Sequence, residues 1–163
     1  MATEPQLIVR RVSGVDLRAA TELLVTQQRA YGREIDADRL RPIVQAALED
    51  SDRILVVGVF HEGLPGFAHG KMVGVLMMSV VVSLEHAGEV GWIEQLYVRE
   101  DYRRKKLGDR LLSTALEWGT GRGLRALDVE IGERHDPAAA QALYGKKGFG
   151  QVQRTRLSKL LAG

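Results

Sequence analysis

The sequence predicts an α/β (α+β) fold: one domain with a mixed, mostly antiparallel central sheet flanked by helices. Three observations point there. Strand-type and helix-type runs follow in the order strand, two helices, several strands, then strand, helix, strand, helix and strand, an order that needs a single mixed sheet. The chain has 163 residues, a size that suits one hydrophobic core. Its 45% hydrophobic and 27% charged content is ordinary for a globular protein, and no repeat, low-complexity tract or linker marks a second domain. Residues 1–163 are therefore expected to form a single domain.

Residues 7–12, LIVRRV, read as a short strand, and Ser13, Gly14 and Asp16 bring turn and helix-start chemistry. From Leu17, the positions Ala20, Leu23, Leu24 and Gln27 give one helical face that ends before Gly32. A second helix starts at Asp36 or Asp38 and carries Leu40, Ile43, Val44, Ala47 and Leu48. Pro42 requires this start, because proline is tolerated only within about the first turn. Between the helices, YGREIDAD gathers Glu34, Asp36 and Asp38. Capping explains an aspartate here without further function. The alternative is an acidic lip for a cationic substrate, built from Glu34 and Asp36.

Residues 53–60 and 71–83 are strands joined by a Gly- and Pro-containing turn. A further turn through Glu85, His86, Ala87 and Gly88 leads into a strand over 91–98, GWIEQLYV, rich in Trp92, Ile93, Leu96, Tyr97 and Val98. Leu107, Leu111, Leu112, Ala115 and Leu116 then fall at helical spacing, so a helix runs from near Leu107 to between Gly119 and Gly123. Residues 126–131, ALDVEI, are another strand, and a last helix and strand close the order.

The start of the helix at Leu107 breaks an electrostatic habit. A helix N-terminus carries about half a positive charge and four unpaired N–H groups, so acids or hydroxyls normally stand there. Here Arg103, Arg104, Lys105 and Lys106 crowd it, with only Asp109 and, further out, Glu100 and Asp101 of the favourable sign. A solvated charge run is one reading. The preceding strand favours the other: a strand, a basic turn and an amphipathic helix together hold phosphates, and Gly108 lets an oxygen approach the backbone.

At these residues the chain resembles a known family. IEQLYV followed by YRRKKLGDRLL is similar to the acetyl-CoA-binding core of the GNAT superfamily of N-acetyltransferases, whose signature Q/R-x-x-G-x-G/A follows a strand ending in valine. Arg103 matches the first position and Gly108 the last, while Lys106 stands where the family usually has its first glycine. A lysine there either blocks backbone approach or turns outward and adds charge. Downstream, AAAQALYGKKGF is similar to the family's later motif, a helix bearing a tyrosine followed by Gly-Phe entering a strand; here these are Tyr144, Gly148 and Phe149. Asp136 and Pro137 stand where the family often has an asparagine. The resemblance spans residues 92–149, and the N-terminal half matches only in its pattern of elements.

The resemblance implies acetyl-CoA as co-substrate, with no metal. It implies that the backbone of Leu96, Tyr97 and Val98 pairs with the pantetheine arm like an added strand. Arg103, Arg104, Lys105, Lys106, Leu107, Gly108 and Asp109 would hold the diphosphate. It implies direct transfer of acetyl to an amine, which must lose a proton before attack. Glu94, flanked by Ile93 and Leu96, is the candidate base, with partial desolvation to raise its pKa. By strand alternation it would share a face with Leu96 and Val98. A solvent-facing, ion-paired Glu94 is the equal alternative. Tyr144 is the candidate proton donor to the departing thiolate, set against a packing role beside Leu143 and Phe149.

The expected activity is thus an acetyl-CoA-dependent N-acetyltransferase acting on a primary amine of a small molecule. Glu34, Asp36 and Asp38, with Glu85 and Glu89, favour a polycation such as a polyamine or an aminoglycoside. A peptide or protein N-acetyltransferase, and a non-catalytic acyl-CoA-binding module of the same fold, remain open.

Composition removes several rivals. There is no cysteine, hence no disulfide framework, thiolate metal site or cysteine nucleophile. His61, His69, His86 and His135 lack metal-ligand spacing, and Ser79 and Ser83 lack a G-x-S-x-G setting. Net charge is only +2, which gives no reason to expect nucleic acid as a partner. No apolar run is long enough to span a membrane, and the first residues do not read as a secretion signal, so a cytoplasmic protein is expected. The assembly state stays open, a homodimer being one option.

Overall fold

The computed structural model of the chain describes residues 6–132 and 136–161. The chain divides into two units, Met1–Glu130 and Ile131–Gly163. The first holds a five-stranded sheet in the order β1-β2-β3-β4-β5. Its strands are β1 (Gln6–Arg11), β2 (Ile54–Glu62), β3 (Lys71–Ser83), β4 (Gly88–Val98) and β5 (Leu127–Val129), with helices α1 (Leu17–Ala30), α2 (Ala37–Glu49) and α3 (Leu107–Arg122). Strands β1 to β4 pair antiparallel, and β5 joins β4 in parallel. The expected mixed, mostly antiparallel sheet is therefore present. Among the described residues no helix is long and apolar enough to cross a membrane.

Alternation decides how the sheet is covered. On one face Val56, Phe60, Met72, Val75 and Tyr97 meet Ala20, Leu23 and Leu24 of α1 and Val44 and Ala47 of α2. Fully burying side chains of this kind contributes roughly 1.5–3 kcal/mol each. The other face receives α3 through Leu107, Leu111, Leu112 and Ala115, all buried. Gly74, opposite Val98 in the ladder, sets how closely α3 approaches. A Cβ there would lie 3.3 Å from Val59 Cγ2 and 3.4 Å from Leu111 Cδ1, so glycine seats Leu111 against the sheet at the end where β4 stops.

Several expectations need correction. Pro42 is the sixth residue of α2, in the second turn and not the first. The strand expected over 126–131 shrinks to Leu127–Val129. A β-bulge interrupts β4: Met77 pairs with Gln95 and Met78 with Ile93, which leaves Glu94 as the extra residue. Bulges bend a strand and end its regular pairing, and β5 accordingly pairs with β4 only over Gly91–Ile93.

In the second unit α4 (Pro137–Lys146) starts on Asp136, whose carboxylate accepts from the Ala139 N–H at 3.1 Å. Its end is a Schellman motif. Gly148, at φ 85°, lets the Phe149 N–H reach the Tyr144 carbonyl at 3.2 Å and the Gly148 N–H reach that of Gly145 at 3.0 Å. The strand expected after Phe149 does not form among the described residues. Val152 and Leu157 have opposite parity, so neither face of a strand here would collect an apolar row. Both are exposed.

Candidate active site

The last residues of β4, the turn after them and the start of α3 form one continuous feature. The Arg99 N–H donates to the Val73 carbonyl at 2.8 Å, so Arg99 faces β3. Backbone groups alternate between the two edges of a strand. Tyr97 thus also faces β3, while the N–H and C=O of Leu96 and Val98 point to the opposite edge. Beyond the bulge β5 no longer follows that edge, and among the described residues no other strand pairs with it. Glu94 marks the point of divergence.

The turn is held at both ends. Glu100–Tyr102 forms a single 3-10 turn, with the Tyr102 N–H bound to the Arg99 carbonyl at 2.9 Å and the Arg103 N–H to that of Glu100 at 3.2 Å. Arg103 also folds back, its Nε donating to the Val98 carbonyl at 3.1 Å and its guanidinium lying 5.8 Å from the Tyr97 ring centroid. The backbone then turns left-handed at Arg104 (φ 63°) and again at Lys106 (φ 56°). Lys106 occupies the N-cap position of α3 without a side-chain capping bond. A left-handed residue followed by a helical one forms a nest, with successive N–H groups turned to one side. Among the described residues no protein acceptor meets the amides of Lys105, Lys106, Leu107 or Gly108.

Arg103, Arg104, Lys105 and Lys106 are all exposed, and no carboxylate among the described residues pairs with them within 4.0 Å. Leu107 is buried and anchors the helix, while Gly108 and Asp109 are half-buried in its first turn. Free amides, a helix N-terminus and four cations fit a diphosphate. The outward N–H and C=O of Leu96 and the N–H of Val98 fit an amide-bearing arm laid beside them, the Val98 carbonyl being taken by Arg103. These residues suit the co-substrate that the sequence motif implies.

The side chains expected to do chemistry are distributed otherwise. Glu94 is exposed, so the burial expected to tune it is not found, and the bulge breaks the alternation that put it on one face with Leu96 and Val98. Tyr144, in the second unit, is buried, with its ring edge-on to Phe149 at 5.2 Å between centroids. That contact is the hydrophobic pair that accompanies a Schellman motif, with Gly148 supplying the left-handed residue between them.

On the α1–α2 connection, Asp36 caps α2 by accepting from the Asp38 N–H at 2.9 Å. Asp38 lies 3.5 Å from Arg41, and Glu34 is exposed. Arg33 and Arg39 alternate with these acids, so the lip is of mixed sign. Glu89 pairs with Arg53 at 3.1 Å and lies nine residues from Val98 along β4, about 30 Å at ~3.3 Å per residue. It does not join the basic turn. Among the described residues no three His, Asp or Glu side chains converge as metal ligands; His135 lies outside them.

One pair escaped the sequence reading. The His61 Nδ1 and the Tyr102 hydroxyl lie 2.8 Å apart, and their rings meet edge-to-face at 5.5 Å. The two residues are separated by 41 positions, and only the register of β2 to β4 brings them together. An aromatic next to a basic run was the sole local signal.

The comparisons with known proteins follow this geometry. A family profile described as the acetyltransferase (GNAT) family matches residues 18–149. Solved structures of like fold include the aminoglycoside N-acetyltransferase AAC(6')-Iy in complex with CoA, 14% identical, covering 99% of each chain at a TM-score of 0.77. Another is an aminoglycoside acetyltransferase from an uncultured soil metagenomic sample in complex with sisomicin, 18% identical, covering 96% of this chain and 97% of that one at 0.71. A third is a ribosomal-protein-alanine N-acetyltransferase from Brucella melitensis biovar Abortus 2308, 15% identical, covering 95% and 99% at 0.72. At these identities the likeness is one of fold. A search of curated proteins gives no match.

Proposed function

The chain belongs to the GNAT family of acetyltransferases, and on that footing we propose that it transfers acetyl from acetyl-CoA directly to a primary amine of a small molecule. The observation that supports this most is the outward backbone edge of Leu96 and Val98 running into an uncapped, cation-lined helix start. In this reading the outward backbone of Leu96 and Val98 holds the pantetheine arm, Tyr97 between them keeps that strand end paired to β3, and Arg103 to Asp109 hold the diphosphate. Acetyl-CoA, when bound there, supplies the thioester. The chain has no cysteine to carry an acetyl group, so attack by the amine is direct. Residues 1–163 act as one domain, in the cytoplasm.

Glu94, exposed at the bulge where β5 leaves β4, takes the proton from the substrate ammonium, through a water if needed. Tyr144 donates to the thiolate as charge develops on sulfur. Glu34, with Asp36, gives a polyamine or aminoglycoside-like acceptor preference over a peptide. The fold neighbours solved with sisomicin and CoA are aminoglycoside acetyltransferases, which supports that substrate class.

Calorimetry with CoA, followed by free-thiol detection over a panel of polyamines, aminoglycosides and N-terminal peptides, tests the reading. CoA binding and thiol release with the small cations are expected. Binding without release on any amine would favour an acyl-CoA-binding module, the rival that Lys106 in place of glycine motivates. Glu94→Gln should remove the acidic limb of the pH–rate profile, and survival of that limb would assign it to another group. Tyr144→Phe should lower kcat about tenfold or more with little change in CoA affinity; wild-type turnover would dismiss the donor role.

A further inference from the structure

Two left-handed, non-glycine residues make the basic turn costly to hold, since each such residue is strained relative to the right-handed regions. Its backbone bonds, Tyr102 to Arg99 and Arg103 to Glu100, lie within the turn itself, and Arg103 Nε reaches only the strand it follows. Tyr102 is the side chain that reaches further. Its hydroxyl lies 2.8 Å from His61 Nδ1 on β2, and its ring centroid is 5.7 Å from Lys71 Nζ on β3. His61 and Lys71 are themselves partners in the β2–β3 ladder. The turn is thereby tied across three strands to the end of the sheet.

We infer that the His61–Tyr102 pair is a positioning device that holds the turn from Arg103 to Lys106 in the shape that receives a diphosphate; this rests on reading that turn as the CoA site. The pair acts by fixing the residue immediately before Arg103, so that the nest at Lys106 and Leu107 forms before the ligand arrives. Preorganisation of this kind shows in affinity. A half-buried hydroxyl–imidazole bond is worth a modest amount, which corresponds to roughly three- to tenfold in CoA affinity.

The test uses the full chain and CoA itself, titrated by calorimetry. Tyr102→Phe keeps the ring and loses the bond; His61→Leu keeps bulk and loses the ring nitrogen; His61→Asn places a side-chain amide, able to accept or donate, near the position of Nδ1. The two disruptive variants should each weaken CoA by the same three- to tenfold, the double variant should be no weaker than the worse single, and His61→Asn should bind nearly as the wild type does. The thermal midpoint of Tyr102→Phe should stay close to wild type, because Phe preserves the edge-to-face contact. Unchanged affinity in both single variants, or effects that add in the double, would overturn the inference while wild-type CoA binding stands. Failure of the wild type to bind CoA would instead strike the assignment of the site.

Discussion

Helices α2 and α4 start alike, and α3 starts differently. Asp36 and Asp136 each accept from a backbone N–H within the first turn of their own helix, at 2.9 and 3.1 Å. Asp16, at the start of α1, is likewise committed to the protein: it takes the Ser13 N–H at 2.9 Å and both guanidinium nitrogens of Arg10 at 2.7 and 3.0 Å. At α3 the same position is held by Lys106 in a left-handed conformation, with three more cations before it and no side-chain cap. Three helix starts use a carboxylate to satisfy their own chain. Among the described residues the fourth leaves its amides and positive charge to solvent, the arrangement that favours an anion arriving from outside.

The contrast is broken most forcefully at Asp16. Burial opposes its ionisation, but hydrogen bonds from Arg10 and Ser13 outweigh that effect and hold its carboxyl below the ordinary value of 3.8. A depressed folded-state pKa contributes stability that is fully present above the unfolded value and fades as pH falls through the folded one. The Asp16 side chain is 2% exposed and that of Arg10 30%. Discounting for the partner's exposure, Asp16→Asn should cost about 2–3 kcal/mol at pH 7. Urea denaturation should show the gap between variant and wild type narrowing below about pH 4. A gap independent of pH would mean that shape and not charge was lost. CoA affinity should not move.

Giving α3 the chemistry of its neighbours is the converse experiment. Lys106→Asp removes one cation and adds one anion at the proposed diphosphate site, and aspartate tolerates the left-handed region better than most residues. CoA should bind about 10- to 100-fold more weakly, or roughly 1.4–2.8 kcal/mol. The helix itself should gain about 0.3–1 kcal/mol from an acid at its N-terminus. Calorimetry and a thermal melt read the two effects separately. Lost stability with unchanged CoA binding would place the anion elsewhere.

How much of this was legible beforehand depended on whether a feature is local. The span of β3 and the limits of α3 follow from a bounded apolar run and from 3.6-residue spacing, both local signals, and the chain sets them that way. The basic turn was readable for the same reason. Glu94 was not: its bulge is decided by how β4 meets Met77 and Met78 on a strand some fifteen residues earlier, and a slip of one residue redirects every side chain after it. His61 and Tyr102 required the register of three strands. The strand expected after Phe149 rested on the order of elements and on the resemblance, whereas the residues there lack the alternation that would build one. Pro42 shows the limit of a positional rule, because tertiary packing of Val44 and Ala47 holds α2 together around it.

The smallest expected effect separates the two roles that Lys106 was given by sequence. Had its side chain blocked the approach of a ligand to the backbone, glycine would bind CoA more tightly. The backbone at Lys106 already has φ 56° and ψ 26°, the conformation glycine adopts without strain, so the shape of the turn is the same for either residue. What Lys106→Gly removes is one exposed charge and the cost of a left-handed side chain. Stability should rise by about 0.5–1 kcal/mol, the relief being partly offset by the freer unfolded chain. CoA affinity should fall about two- to fivefold, a loss that shrinks as salt screens the remaining cations. Calorimetry at low and high ionic strength reads this directly. Tighter binding by the glycine variant would return Lys106 to the blocking role and undo the reading of α3's start as a turn whose lysine supplies charge on a backbone already shaped for an anion.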